Sequence, residues 1–91
     1  MSVELSETQT ISGFTIQFQG GFVGQDCSVQ LSNPGSIDIM TEPFYPEDVN
    51  TPQIFKLSNP SSAKHLKFIF GKSTDFFGRI VIYSMDILLQ S

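Results

Sequence analysis

Residues 75–89 read DFFGRIVIYSMDILL and join an aromatic loop containing one glycine to the longest β-branched run of the chain. Residues 80–82 are apolar in succession, which predicts a strand buried on both faces between two layers. Further along, apolar side chains at odd positions alternate with Ser84 and Asp86, so one face of the strand turns to water. We therefore predict a central closing strand with a functional loop in front of it.

The rest of the chain carries short alternating segments that are typical of half-buried strands. Pro and Gly within 33–36, and Asn-Pro within 59–62, predict turns between them. Residues 42–52 contain three prolines, and strands should stop there because proline cannot donate to a sheet ladder. Further strands are predicted at 11–19, 27–32, 37–41, 53–58 and 66–70. With no helical period over ten residues, the sequence predicts a single all-β domain over 1–91, an antiparallel β-sandwich or jelly roll.

Charge and cysteine content exclude several classes of function. Nine acidic residues against five basic ones give a net charge of −4, which argues against nucleic-acid binding and against anionic membranes. The single cysteine, Cys27, cannot form an internal disulfide and is predicted to be a small buried hydrophobic residue of a strand. Neither a signal peptide nor a membrane-spanning run is visible. The chain is therefore predicted to be soluble and intracellular.

Three loops are predicted to share one end of the sandwich. If every connection reverses the chain, the segments 19–25, 42–52 and 71–78 lie together, and long loops on a rigid scaffold are where binding usually occurs. That end would collect the aromatic residues Phe22, Phe44, Tyr45, Phe76 and Phe77. Two interpretations are open: these rings close the core, or some stay exposed as anchors for a partner.

No motif in the sequence indicates catalysis. Residues 75–78 read DFFG, which differs from the kinase signature by an extra Phe, and no catalytic loop accompanies it. His65 and Cys27 have no metal-ligand spacing, and the loop carboxylates lack a calcium-loop pattern. We predict no catalytic residue, no cofactor and no metal. Arg79 is expected to pin the loops through an ion pair with a neighbouring carboxylate, whose candidates are Asp75, Glu47 and Asp48.

Three blocks of sequence carry a resemblance to a known family. Residues 16–22 (IQFQGGF), 44–48 (FYPED) and 74–83 (TDFFGRIVIY) are similar to the nuclear receptor subfamily 2 group C member 2-associated proteins. The resemblance implies a discoidin-like jelly roll, of the coagulation factor C-type or galactose-binding-like kind. Such a domain normally has further N-terminal strands, so this one is predicted to be N-terminally short. The exposed sheet edge would then be covered by a protein partner or a second copy.

The resemblance also implies a function. It indicates a non-catalytic protein-interaction module, associated with a nuclear receptor, that contributes to transcription repression in the nucleus or cytoplasm. The predicted partner-binding residues are Phe22, Phe44, Tyr45, Asp75, Phe76, Phe77 and Arg79. The alternative is a glycan- or lipid-binding module resembling a lectin, for which Arg79 beside Phe76 or Phe77 is the candidate set.

Overall fold

The computed structural model describes residues 1–90, which form strands and no helix. The all-β class predicted from the sequence is thereby confirmed. No helix long and apolar enough to cross a membrane occurs among these residues. The strands are β1 (Ser2–Phe18), β2 (Gly24–Gln25), β3 (Cys27–Ser32), β4 (Ile39–Phe44), β5 (Gln53–Ile69), β6 (Lys72–Ser73) and β7 (Ile82–Leu89).

Five of the strands form one antiparallel sheet in the order β4-β3-β5-β1-β7. A second, two-stranded sheet pairs β2 with β6. The long strands β5 and β1 are central in the large sheet, and β4 and β7 are its edges. The sheet is open and not a closed barrel, because β4 and β7 do not pair with each other in the described chain.

The two long strands must bend, because straight ones would not fit in the molecule. Each has 17 residues, which at about 3.3 Å per residue would extend roughly 56 Å. The longest dimension of the molecule is 39 Å. Irregular pairing permits such bends, and it occurs where residues 5–8 lie opposite Lys64 and where residues 57–60 lie opposite Ser12.

Bending turns the single sheet into two packed layers. Phe14 is paired with Phe55, and their ring centroids lie 5.4 Å apart. Phe14 also packs edge-on against Phe68, at 5.1 Å, although Phe68 lies 13 residues farther along the same strand as Phe55. It makes a third contact, at 4.9 Å, with Phe44 of the edge strand β4. The antiparallel β-sandwich predicted from the sequence is thus present, with β1 and β5 contributing to both layers.

One continuous core fills the space between the layers. Its buried side chains come from β1, β3, β4, β5 and the loop after β1. The partly buried side chains of β7 pack against its rim. The core residues are Ile11, Phe14, Ile16, Phe18, Val23, Cys27, Val29, Leu31, Phe44, Leu57, Ala63, Leu66 and Phe68.

The prediction of a central strand at 80–89 is wrong. The strand begins at Ile82 and lies at the edge of the sheet, where it pairs with β1. Residues 80–82 are half-buried rather than enclosed on both faces. An edge strand can carry an apolar run when one of its faces covers the core and the residues before it are also packed. Here Ile80 and Ile82 pack against the core, and the backbone of Val81 bonds Gln19 and Phe22.

Other strand boundaries also differ from the sequence prediction. The turn expected at 59–62 is part of β5, and Pro60 is accommodated because it lies in the irregular segment 57–60. The strand expected at 37–41 begins and ends later, at Ile39–Phe44, and runs through Pro43. Proline is tolerated there because β4 is an edge strand. By contrast, the strand at 27–32 and the turn at 33–36 are confirmed.

Cys27 is a core residue, as predicted, and its thiol should be chemically inert. Burial, with a further contribution from the Asp26 carboxylate, raises the pKa of the Cys27 thiol to about 11. We expect Ellman's reagent to leave the native protein unmodified near pH 8 and to react fully once urea unfolds it. Because the folded-state pKa is raised, this group should also lower stability as pH rises from about 9 towards 11. Rapid modification without urea would contradict the assignment.

Candidate functional site

The three long loops meet at one end of the sandwich, which we call the loop end (residues 19–26, 45–52 and 70–81). The first loop lies between the other two. The N–H groups of Gly20 and Gly21 donate to the side-chain oxygens of Asn50 and Asp48, at 2.7 and 2.8 Å. On its other side, Val23 exchanges two hydrogen bonds with Thr74, each 2.9 Å long. The grouping of loops predicted from the sequence therefore matches the structure.

Asp75 organises the third of these loops, residues 70–81. Its Oδ2 atom accepts the backbone N–H groups of Phe77 and Arg79, at 3.2 and 3.1 Å. Its backbone carbonyl accepts the N–H of Gly78 at 3.0 Å. Gly78 has a φ of 78°, in the left-handed region that favours glycine. These contacts define a tight turn whose shape depends on an aspartate and a glycine three residues apart.

The Arg79 side chain closes the same turn through a two-pronged ion pair. Its Nε lies 2.9 Å from Asp75 Oδ2, and an Nη lies 3.2 Å from Oδ1. This fork-to-carboxylate geometry is the strong form of an arginine ion pair. The expectation that Arg79 pins a loop is confirmed, with Asp75 as the partner. Of the other candidates, Asp48 holds Gly21 instead, and Glu47 pairs through its backbone with the Gln53 side chain.

The guanidinium is also flanked by two aromatic rings. The Arg79 Cζ atom lies 5.2 Å from the centroid of Phe22 and 5.4 Å from that of Phe77. Phe76 then meets Phe77 edge-to-face, with centroids 5.2 Å apart. Cation–π contact and aromatic pairing each favour one arrangement of these side chains. We call the group of Phe22, Asp75, Phe76, Phe77 and Arg79 the Phe–Arg cluster.

Two rings of the Phe–Arg cluster project into solvent. Phe76 is 93% exposed and Phe77 is 77% exposed, while Phe22 is half-buried. The interpretation that Phe76 and Phe77 close the core is therefore wrong. Large apolar side chains this exposed, and yet held by an ordered turn, are typical of anchors in protein interfaces.

Two of the predicted partner-binding residues lie outside this cluster. Phe44 is buried in the core against Phe14, so its selection as a contact residue is wrong. Sequence position alone placed it among the loop aromatics, but it is the last residue of β4 and points inward. Tyr45 is exposed and lines a shallow pocket of about 300 Å³ with Asp26 and Lys72, whose charges lie 3.6 Å apart.

Several residues that shape the site were missed by sequence reasoning. Asn50 and Thr74 join the loops through side-chain oxygens, as described above, and the backbone of Asn50 also accepts the Gln17 amide at 2.9 Å. No local pattern predicts these bonds, because they join residues that lie 27 to 51 positions apart in the sequence. Sequence reasoning also missed a groove of about 550 Å³ that is lined in part by Glu4 of β1, Gln30 of β3 and His65 of β5.

The geometry does not suggest a metal centre in the described part of the chain. Among residues 1–90, no three His, Cys, Asp or Glu side chains lie close enough together to hold a metal ion. The carboxylate of Asp75, the most engaged acid of the loop end, is occupied by Arg79 and two backbone N–H groups. The loop end therefore presents an exposed apolar surface, formed by Phe76 and Phe77, next to the Asp75–Arg79 ion pair.

Acid should loosen the Phe–Arg cluster. The hydrogen bond from the Arg79 side chain is the main cause that lowers the pKa of Asp75 below its usual value. A depressed folded-state pKa means that the ion pair is intact above the ordinary aspartate pKa of about 3.9 and is lost as pH falls through the folded value. We expect the Arg79 Nε–H chemical shift in NMR spectra to be constant near pH 6 and to move towards the value of a free arginine well below pH 4.

Asp75→Asn serves as the control for this acid effect. It should release Arg79 already at pH 6, because a neutral amide cannot form the ion pair. An Arg79 signal in the wild type that stays unchanged at pH 2 would contradict the role given to Asp75.

Comparison with known proteins gives the chain named relatives. No family model matches it. It is 40% identical over 86 residues to a nuclear receptor 2C2-associated protein from Danio rerio, which is 94% of this chain and 61% of the relative. The protein of that name from Xenopus laevis is also 40% identical, over 94% of this chain and 62% of its own length. The Homo sapiens protein is 35% identical over 88 residues, 97% of this chain and 63% of the relative.

These relatives carry the name that the three sequence blocks predicted. The chain spans a little under two thirds of their length. Their name describes association with a nuclear receptor, which is compatible with a role in protein interaction. The assignment to the discoidin-like type stays a prediction, as does the description of residues 1–91 as one N-terminally short domain.

Proposed function

We propose that this chain is a non-catalytic protein-interaction module of the nuclear receptor 2C2-associated kind, and that it binds its partner through the Phe–Arg cluster. The observation that carries the proposal is the pair of exposed rings, Phe76 and Phe77, held by the Asp75–Arg79 turn. By similarity to the named relatives, the proposed partner is a nuclear receptor.

The order of the turn supports this proposal energetically. Binding normally costs conformational entropy when flexible side chains become fixed, about 0.5–1.5 kcal/mol for each long one. Phe77 already packs against Phe76 and the Arg79 guanidinium, which lowers the part of that cost that remains on binding. An apolar pocket of the partner would gain on the order of 1.5–3 kcal/mol for each phenylalanine that it covers.

The charge of the chain adds to the description of the partner. With a net charge of −4, the module would associate faster with a surface that carries an excess of Lys and Arg. The same charge supports the proposal that it binds neither nucleic acid nor membrane. The resemblance of the three sequence blocks supports two more specific proposals. One is that the fold is a discoidin-like jelly roll, and the other is that the chain contributes to transcription repression in the nucleus or cytoplasm.

The lectin-like alternative is less well supported by the geometry. Its candidate set was Arg79 beside Phe76 or Phe77, and a sugar would need free guanidinium donors there. Two of the five guanidinium N–H donors already bond Asp75, and Phe22 and Phe77 lie against the guanidinium, so fewer donors remain for a sugar. Binding of the isolated chain to a glycan array or to liposomes would favour the alternative over protein binding.

Substitution of the exposed rings tests the proposal. We expect Phe77→Ser, and more so the double change with Phe76→Ser, to weaken capture of nuclear receptor 2C2 by about 30-fold, as expected for a hot-spot residue of 2 kcal/mol. The melting temperature should stay close to that of the wild type, because neither ring belongs to the core.

Ile37→Ser is the matched control, since Ile37 is an apolar side chain that is 96% exposed in the segment between β3 and β4. It should leave receptor capture unchanged. Equal loss from Ile37→Ser, or full capture by the double variant, would contradict the assignment of the site.

A further inference from the structure

The edge strand β7 has one unpaired side. Within residues 1–90 it pairs with β1 and with no other strand. The N–H of Gln90 donates to the Thr10 carbonyl of β1 at 2.8 Å. Because antiparallel pairing alternates along a strand, the backbone groups of Ser84, Asp86 and Leu88 also face β1. Those of Met85 and Ile87 therefore point away from the sheet, and they form a row of free donors and acceptors.

The core is incompletely covered beside this free edge. Phe14 and Ile16, which point inward from β1, are at most 1% exposed. Their cross-strand neighbours on β7 are Ile87 and Met85, and these are only half-buried although they pack against the same core. The buried layer thus thins at β7. A further strand with apolar side chains beside Met85 and Ile87 would continue it.

Other free edges of the sheet carry features that oppose strand addition. Pro43 interrupts the donors of β4, and the Glu42 carboxylate accepts the N–H of Ser58 on the edge of β5, at 3.0 Å. The first half of β1 contains the irregular segment 5–8. Prolines, local side-chain capping and bulges are recognised ways to blunt an edge. Beyond the irregular pairing at Tyr83, residues 84–89 contain no proline and no lysine, and their single charge is Asp86.

We propose that β7 is a second binding surface, which accepts an extended strand of a partner polypeptide. Alternate residues of that strand would be apolar and lie beside Met85 and Ile87, and those between them would include Lys or Arg and lie beside Asp86. The net charge of −4 favours a basic strand and opposes pairing with a second copy of this chain. Strand addition of this kind supplies affinity through backbone hydrogen bonds and specificity through alternate side chains.

Amide hydrogen exchange on the whole chain tests the proposal residue by residue. The probe is a short soluble peptide of alternating valine and lysine. Without it, the amides of Met85 and Ile87 should exchange fast, and those of Ser84, Asp86 and Leu88 slowly. At saturating peptide, exchange at Met85 and Ile87 should slow by about tenfold or more. The Phe76→Ser and Phe77→Ser double variant should respond in the same way, so failure of the loop-end site would not affect this result.

Three outcomes would overturn the proposal. One is unchanged exchange at Met85 and Ile87 at the highest peptide concentration. Another is protection that is present without peptide and disappears on dilution, which would show that a second copy occupies the edge. A third is equal protection by a valine–glutamate peptide, which would exclude the basic chemistry. Asp86→Asn should weaken binding of the lysine peptide by about threefold, as expected for an exposed ion pair.

Discussion

Phe14→Ala is expected to lower the free energy of unfolding by about 4 kcal/mol, the middle of the range for a buried phenylalanine truncated to alanine. The ring is 1% exposed and contacts three other rings, those of Phe44, Phe55 and Phe68. These partners come from both layers of the sandwich. Removing the ring therefore leaves a cavity at the place where the bent sheet packs against itself.

Urea unfolding followed by circular dichroism measures this effect. Phe76→Ala is the matched control, because it removes the same ring from a position that is 93% exposed. It should change stability by less than about 0.5 kcal/mol. If the two variants were equally stable, Phe14 could not hold the layers together in the way described.

Gly13→Ala should destabilise the fold by about 3 kcal/mol, the upper end for overpacking. Gly13 is paired with Lys56, next to the irregular pairing of residues 57–60 opposite Ser12. An added Cβ would overlap the backbone carbonyl oxygen of Phe55 and come within 3.1 Å of the Lys56 Cα. Both atoms belong to the paired strand, so relief requires moving β5 itself.

A second glycine provides the control for this prediction. At Gly20 an added Cβ would meet the Asn50 side chain at 3.1 Å. That side chain is exposed and can shift, so Gly20→Ala should cost much less stability than Gly13→Ala. Thermal melts of the two variants suffice for the comparison. A Gly13→Ala protein with the wild-type melting temperature would contradict the close approach of β1 and β5.

Alternation of apolar residues predicted the strand class and some segments well, but not the bends. Cys27–Ser32 was predicted to the residue, since three inward apolar side chains alternate with three polar ones. The length of β5 was not, because Asn59 and Pro60 have the composition of a turn. In the structure they lie in an irregular pairing opposite Ser12, and only the long-range partner reveals that the strand continues.

The sequence predicted which loops form the loop end, but it predicted only in part which of their aromatic rings are exposed. Counting chain reversals predicted that the three loops lie at the same end of the sandwich. The short distance in sequence between Asp75 and Arg79 suggested their ion pair. Sequence could not assign each ring to core or solvent, because Phe44 and Phe77 have the same chemistry and both lie near long loops. That assignment depends on strand direction at residue 44 and on the turn at Gly78, both of which are tertiary properties.

The central claim, that the loop end is the surface for a protein partner, is tested most directly by hydrogen exchange of the chain with and without nuclear receptor 2C2. The prediction is slower exchange in the complex at Phe77, Gly78 and Arg79, with no change at the opposite turn around Gly35. Protection confined to residues outside 19–26, 45–52 and 70–81 would contradict the claim.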